Sequence, residues 1–123
     1  MITGIVTPSL AAVVRLHIED ANGQTQAIDV KIDTGFSDFI CLPLATVAAL
    51  GLVLTTHEIV EIADGSFVRV PVFSGVVIWD GKPRRIDVHA LGKQNLIGMA
   101  MLAGHDLAIR VQDGGAVSIH RVP

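Results

Sequence analysis

An aspartate stands at the end of an alternating apolar run, Ile28-Asp29-Val30-Lys31-Ile32, and is followed at once by a small hydroxyl and a glycine, giving Asp33-Thr34-Gly35. A carboxylate presented at a strand end can give or take a proton, so the chemistry open to it is general acid–base catalysis. Hydrolysis of an amide needs a base to activate water and an acid to protonate the carbonyl oxygen or the leaving amine, and one carboxylate cannot be both at once. Two carboxylates about 3 Å apart repel by roughly 5 kcal/mol at an effective dielectric of roughly 20, so such a pair holds one proton between its members. The triplet occurs once. Asp64, Asp80 and Asp113 precede glycines at hairpin-turn positions, Asp87 falls in a strand pattern, and Asp106 follows Gly104-His105 without a Thr-Gly. Taken alone, Asp33-Thr34-Gly35 also suits an ordinary strand-ending turn, since Asp and Gly are turn residues.

Other chemistries find less support. The five histidines, His17, His57, His89, His105 and His120, form no His-x-His or His-x-x-x-His pair, so strand positions facing solvent are expected for them and no metal site is predicted. Cys41 is the only cysteine, which rules out an internal disulfide, and its apolar neighbours Phe39, Ile40 and Leu42 predict a buried, inert thiol. There is no Gly-x-Ser-x-Gly, and Gly92-Lys93 lacks the glycines and following hydroxyl of a phosphate loop, so no cofactor is expected.

The elements that must position Asp33 read mostly as short strands. Residues 11–20 alternate, Val14, Leu16 and Ile18 against Arg15, His17 and Glu19, and Asn22-Gly23 predicts a tight hairpin to a return strand over about 25–33. Phe39–Leu42 predicts a short strand, and Leu44–Leu50, between Pro43 and Gly51, a short helix. Glu58–Ala63 and Ser66–Val72 flank Asp64-Gly65, and Phe73–Trp79 and Pro83–Ala90 flank Asp80-Gly81, which predicts two hairpins. Leu96-Ile97-Gly98 leads into an apolar segment, Met99–Ala103, and Leu107–Val111 and Ala116–Val122 form a last hairpin. Each half gives a hairpin, a glycine-ended apolar strand and a short helix.

The 123 residues are expected to form a single domain, 1–123. Half are hydrophobic and only 17% charged, which suits either a Val/Ile/Leu/Ala-rich β core or apolar surface covered by a second subunit. A net charge of −3 without a basic block argues against nucleic acid, and Lys82, Arg84 and Arg85 read as a solvated hairpin tip. The first basic residue is Arg15, and the longest apolar stretch, Leu42 to Leu54, is broken by Pro43, Thr46 and Gly51, so a cytoplasmic chain with no membrane partner is expected.

Two motifs together, Ile32-Asp33-Thr34-Gly35-Phe36-Ser37 and the later Leu96-Ile97-Gly98, resemble those of the retropepsin-like aspartic proteases, and the order of elements is similar over nearly the whole chain. The resemblance implies a closed β-barrel of the acid protease fold with one or two short helices, in which the later apolar-apolar-Gly strand threads the aspartate loop. It implies that Asp33 is the catalytic residue of an aspartic endopeptidase, that Thr34 braces the loop across a dimer axis, and that Gly35 admits the substrate backbone. Phe36, Ser37 and Ile97 would contact substrate, with Asp64 and Gly65 at the tip of a flap. With one triplet per chain, the partner is a second copy: a two-fold homodimer brings Asp33 of each subunit to the axis, and an extended peptide or protein segment is the substrate. The terminal segments, Ile2–Val6 and Ala116–Val122, are edge candidates for pairing across that dimer. Three positions depart from the retroviral pattern. Ser37 and Met99 stand where those proteases often carry an acid and an arginine, and Phe36 replaces a small residue. A non-catalytic peptide-binding or dimerisation module on the same fold is the alternative, and an unrelated barrel with Asp33 capping a turn is a third reading.

Overall fold

The chain opens on two strands, Ile2–Val6 (β1) and Ala12–Glu19 (β2), and alternation decides the second: Val14, Leu16 and Ile18 are buried while Arg15 and His17 face solvent. The computed structural model describes residues 1–123. Thr25–Ile32 (β3) returns antiparallel to β2, from Glu19 opposite Thr25 to Val13 opposite Lys31. The turn between them differs from the expected two-residue form. Gly23 is the one turn residue with positive φ, and the Asp20 carboxylate organises the loop by accepting from the N–H groups of Asn22 (2.9 Å) and Gln24 (3.0 Å).

Ile40–Leu42 (β4) runs into the helix Leu44–Leu50 (α1), bounded as expected by Pro43 and by Gly51 in the left-handed region at φ 70°. Val53–Glu61 (β5) and Phe67–Trp79 (β6) form a long hairpin. β6 is one strand of 13 residues rather than two, because Pro71 lies where β6 is paired on the β5 side alone and its missing N–H is needed by no ladder. Asp80 and Gly81, both at positive φ (51° and 82°), make the tight turn to Lys82–Ala90 (β7). Leu96–Ile97 (β8), a short helix Met99–Leu102 (α2), His105–Ile109 (β9) and Ala116–Arg121 (β10) complete the chain.

All ten strands belong to one sheet, ordered β5-β6-β7-β4-β8-β3-β2-β1-β10-β9. The repeat suggested by the sequence is written in this order. Exchanging β2, β3, β4 with β6, β7, β8 leaves the middle run β6-β7-β4-β8-β3-β2 unchanged, with β4–β7 and β3–β8 both parallel and β4–β8 antiparallel between them. β2 also pairs with β6 at His17–Ile78 and Ile18–Val77. Through this pairing the run β6-β7-β4-β8-β3-β2 returns on itself, while β5 and β9 are left as edges of the larger sheet. The terminal segments are not the free edges expected. β1 is bracketed by β2 and β10, and β10 by β1 and β9, a fit that depends on Gly4, where any Cβ would run into the Val13 carbonyl.

The core is one cluster of 19 buried residues, drawn from both halves and the terminal strands, with Ile18, Val30, Ile40, Leu42, Val77, Val88, Ile97, Met101 and Ile119 fully enclosed. At roughly 1.5–3 kcal/mol for each large apolar side chain taken from water, this cluster holds the aspartate loop on a rigid base. No helix is long and apolar enough to cross a membrane.

Candidate active site

The loop 33–38 leaves β3 where the apolar alternation ends, and it is fixed almost entirely by its backbone. The Asp33 N–H donates to the Ile97 carbonyl (2.9 Å) and the Phe36 N–H to the Asp33 carbonyl (3.1 Å). β8 and the start of α2 then pass through the loop: Gly98 donates to Phe39 (2.9 Å), Met99 to Phe36 (2.8 Å) and Ala100 to Asp38 (3.2 Å). Such a passage leaves no room beside Gly98, where a Cβ would collide with the Asp38 carbonyl and lie 2.5 Å from the Phe36 ring and 2.7 Å from the Phe36 carbonyl. This is the threading that the resemblance implies for the two motifs.

The Asp33 carboxylate is half-exposed, and Oδ1 accepts from the Gly35 N–H at 2.9 Å, so the triplet's glycine orients the acid through its amide. Gly35 needs no positive φ; its role is space, since a Cβ there would sit 3.2 Å from Asp33 Oδ1. A cavity of about 380 Å³ opens above, walled by Asp33, Gly35, Phe36, Ser37, Asp38 and Cys41 below and by Val60–Ala63 of the β5–β6 hairpin above. A second cavity, of about 580 Å³, reaches Asp33 from the other side past Lys31, Leu91, Lys93 and Gln94. Asp33 thus borders both cavities, as do Cys41, Leu91 and Leu96. Cys41 lies beside it as a buried thiol that donates to the Leu91 carbonyl (3.2 Å); burial pushes its pKa up, and the neighbouring Asp33 charge adds to the rise.

The residues singled out by sequence separate into four groups. Asp33, Gly35, Phe36 and Ser37 meet at the groove. Thr34 points elsewhere, into an apolar groove of about 250 Å³ with Val6, Leu10, Ala12, Ile32 and Val111. Ile97 is fully buried and serves the loop through its carbonyl, so its neighbour Leu96 lines the groove in its place. Asp64 and Gly65 form the exposed tip of the hairpin and do not line the cavity; the roof proper is Val60–Ala63.

Asp64 holds the tip together. Its Oδ1 accepts from the Ser66 hydroxyl (2.6 Å) and the Ser66 N–H (2.8 Å), which sets its pKa below the ordinary carboxylate value. A carboxylate lowered in the folded state stabilises the turn above its unfolded pKa, and that contribution is lost as pH falls through the lowered value. Acidification below the usual carboxylate range is therefore expected to loosen the tip before the sheet, read from the Ser66 amide resonance. Asp64→Ala should loosen the tip already at neutral pH and remove this acid dependence.

One group escaped sequence reasoning. His89, expected at a solvent-facing strand position, is only 3% exposed, because Val88, His89 and Ala90 are all enclosed where β7 lies between β6 and β4. Its Nε2 is 2.8 Å from Glu58 Oε2 and 3.5 Å from Asp38 Oδ2. The three residues are far apart in sequence with no common spacing, so only the fold brings them together.

The fold is shared with a solved structure, that of a retropepsin-like aspartic protease from Rickettsia conorii, at a TM-score of 0.61 and 19% identity over 99% of this chain and 91% of that one. No protein-family model and no curated protein matches the sequence. The likeness assigns the fold as retropepsin-like, and the roles of individual residues rest on their geometry.

Proposed function

We infer that the chain is an aspartic endopeptidase that works as a homodimer, with Asp33 of each subunit forming the acid–base pair. The observation that carries this reading is the Asp33 carboxylate on a backbone-braced loop, threaded by Ile97-Gly98, in a groove roofed by a β-hairpin. The solved relative, described as an aspartic protease, supports the same direction. A groove roofed by a hairpin suits a peptide bound as an extended strand, through backbone hydrogen bonds with side chains alternating into the two cavities.

The mechanism follows from the shared proton. The unprotonated Asp33 takes a proton from a water as that water attacks the scissile carbonyl carbon. The protonated Asp33 of the second subunit gives its proton to the carbonyl oxygen. Collapse of the tetrahedral intermediate returns a proton to the leaving amine, and the C–N bond breaks without a covalent enzyme intermediate. Each Gly35 amide keeps its own carboxylate in the groove by holding Oδ1. Thr34 and the apolar groove it borders are suited to the subunit contact, because they lie on the same loop as Asp33 but face away from the peptide-sized cavity.

The test is cleavage of a peptide library by the wild-type chain from pH 3 to 8, with solution mass measured in parallel. Defined cleavage products from a species of dimer mass are expected. A stable monomer that binds peptides without cleaving them would replace this reading with that of a peptide-binding module.

A further inference from the structure

The geometry points to His89 as a positioning residue, a clasp that ties the roof of the groove to the Asp33 loop. This rests on the proposed function for its consequence, but not for its structure. His89 is the fixed member. Its backbone is paired on both sides, with Val72 of β6 and Cys41 of β4, and its ring is buried against Phe36 edge to face, with centroids 6.2 Å apart at 83°. The two carboxylates belong to the parts that frame the groove. Glu58 is on β5, on the same strand face as Val60, two residues before the hairpin's roof begins. Asp38 closes the loop that begins at Asp33, and its carbonyl is held by the Ala100 N–H.

The hydrogen decides how the clasp works. Carboxylates only accept, so the proton of the neutral ring lies on Nε2, where Glu58 takes it at 2.8 Å and Asp38 stands second at 3.5 Å. Nδ1 is buried with no partner. A lone pair left there costs less than an N–H left there. That orphan opposes a cation on Nε2, since a metal-bound imidazole carries its proton on the other nitrogen and needs an acceptor for it. One N–H thus serves two acceptors on two separate elements. When β5 lifts and carries Glu58 away, the Asp38 carboxylate is in reach to take the hydrogen bond, and the buried donor is never left bare. The Glu58 bond holds the roof closed at a fixed height over Asp33, and Asp38 as second acceptor limits the cost of opening it.

The test compares Glu58→Leu with Glu58→Gln in the full chain; both change a half-exposed side chain and keep the fold. Amide exchange of the β5–β6 hairpin is expected to quicken by about tenfold or more in Glu58→Leu, with β2 and β3 amides within about twofold of wild type, and Glu58→Gln is expected to restore most of the protection. Ring ¹⁵N shifts should place the His89 proton on Nε2. With a cleaved peptide, Glu58→Leu should raise KM by about tenfold and change kcat by less than about threefold, because ordering of the roof contributes to binding. Unchanged hairpin exchange in Glu58→Leu, an equal effect of Glu58→Gln, or a proton on Nδ1 would overturn the clasp. Exchange and ring shifts need no turnover, so a chain that shows the clasp but cleaves nothing would sink the peptidase reading alone.

Discussion

Asp33→Asn is expected to abolish peptide cleavage, by at least roughly 10³-fold, while leaving the fold and the solution mass unchanged. The substitution replaces one oxygen by an amide of the same size. The amide oxygen can still accept the Gly35 N–H that now binds Oδ1 at 2.9 Å, so the loop keeps its geometry. What is lost is the proton chemistry. An asparagine can neither take a proton from water nor hold one for the carbonyl oxygen, and a dimer of the variant loses both roles together. The readout is product formation from a cleaved peptide at the optimum pH, set beside the thermal midpoint of each protein. A variant that keeps wild-type turnover would remove Asp33 from the chemistry.

The second large effect concerns Gly98. Gly98→Ala places a methyl group against the Asp38 and Phe36 carbonyls and the edge of the Phe36 ring, and two of those three obstacles are backbone. Overpacking in a closed core costs about 1–3 kcal/mol and more where neighbours cannot move. Here relief requires the loop 36–38 to slide off β8, which breaks the Gly98–Phe39 and Met99–Phe36 hydrogen bonds. A loss of at least about 3 kcal/mol is therefore expected by denaturant unfolding, a large share of the 5–15 kcal/mol typical of a domain. Activity should fall further than stability, because the same displacement moves Asp33. By contrast, Gly65→Ala meets no neighbour within 4 Å, and its cost is limited to the positive φ of the hairpin tip. A Gly98→Ala chain as stable as wild type would mean that β8 does not run through the aspartate loop.

These two residues also mark what was legible in the sequence. Asp33 and Gly98 belong to the two short motifs that carry the resemblance, so they could be singled out, although what requires a glycine at 98 is the distant loop 36–38. The strands of the first hairpin, α1 between Pro43 and Gly51, and the turn at Asp80-Gly81 were legible because each depends on a few adjacent residues. The misses share a different cause. The single long β6 was hidden because Pro71 reads as a break, and only the one-sided pairing with β5 makes it harmless. The termini read as free edges because nothing local shows that Gly4 lets β1 pack close against β2 with β10 on its other side. His89 read as a surface residue because the alternation of β7 is lost where β4 joins it. Ile97 was expected to touch substrate, yet the chain crossing that makes its carbonyl useful also buries its side chain. Local chemistry was visible; whatever depended on which distant strand lies alongside was not.

The position of Thr34 bears on assembly. The ion pair common in retroviral proteases has no counterpart at Ser37 and Met99, and the terminal strands are already paired within the chain. The apolar groove beside Thr34, with Leu10 and Val111 largely exposed at its rim, is the surface we propose for the subunit contact. Leu10 is held outward at φ 64° by a loop that Thr7 braces through its backbone and its hydroxyl.

In the proposed enzyme one active site takes one Asp33 from each of two chains, and subunit mixing tests this. Wild-type and Asp33→Asn chains are unfolded together in equal amounts, refolded and assayed at fixed total chain concentration. Random pairing makes about a quarter of the dimers fully wild type, so activity is expected to fall to about one quarter of that of wild type alone. Activity of one half, falling linearly with the fraction of variant chain, would show that each chain carries a complete site of its own and would contradict the shared pair.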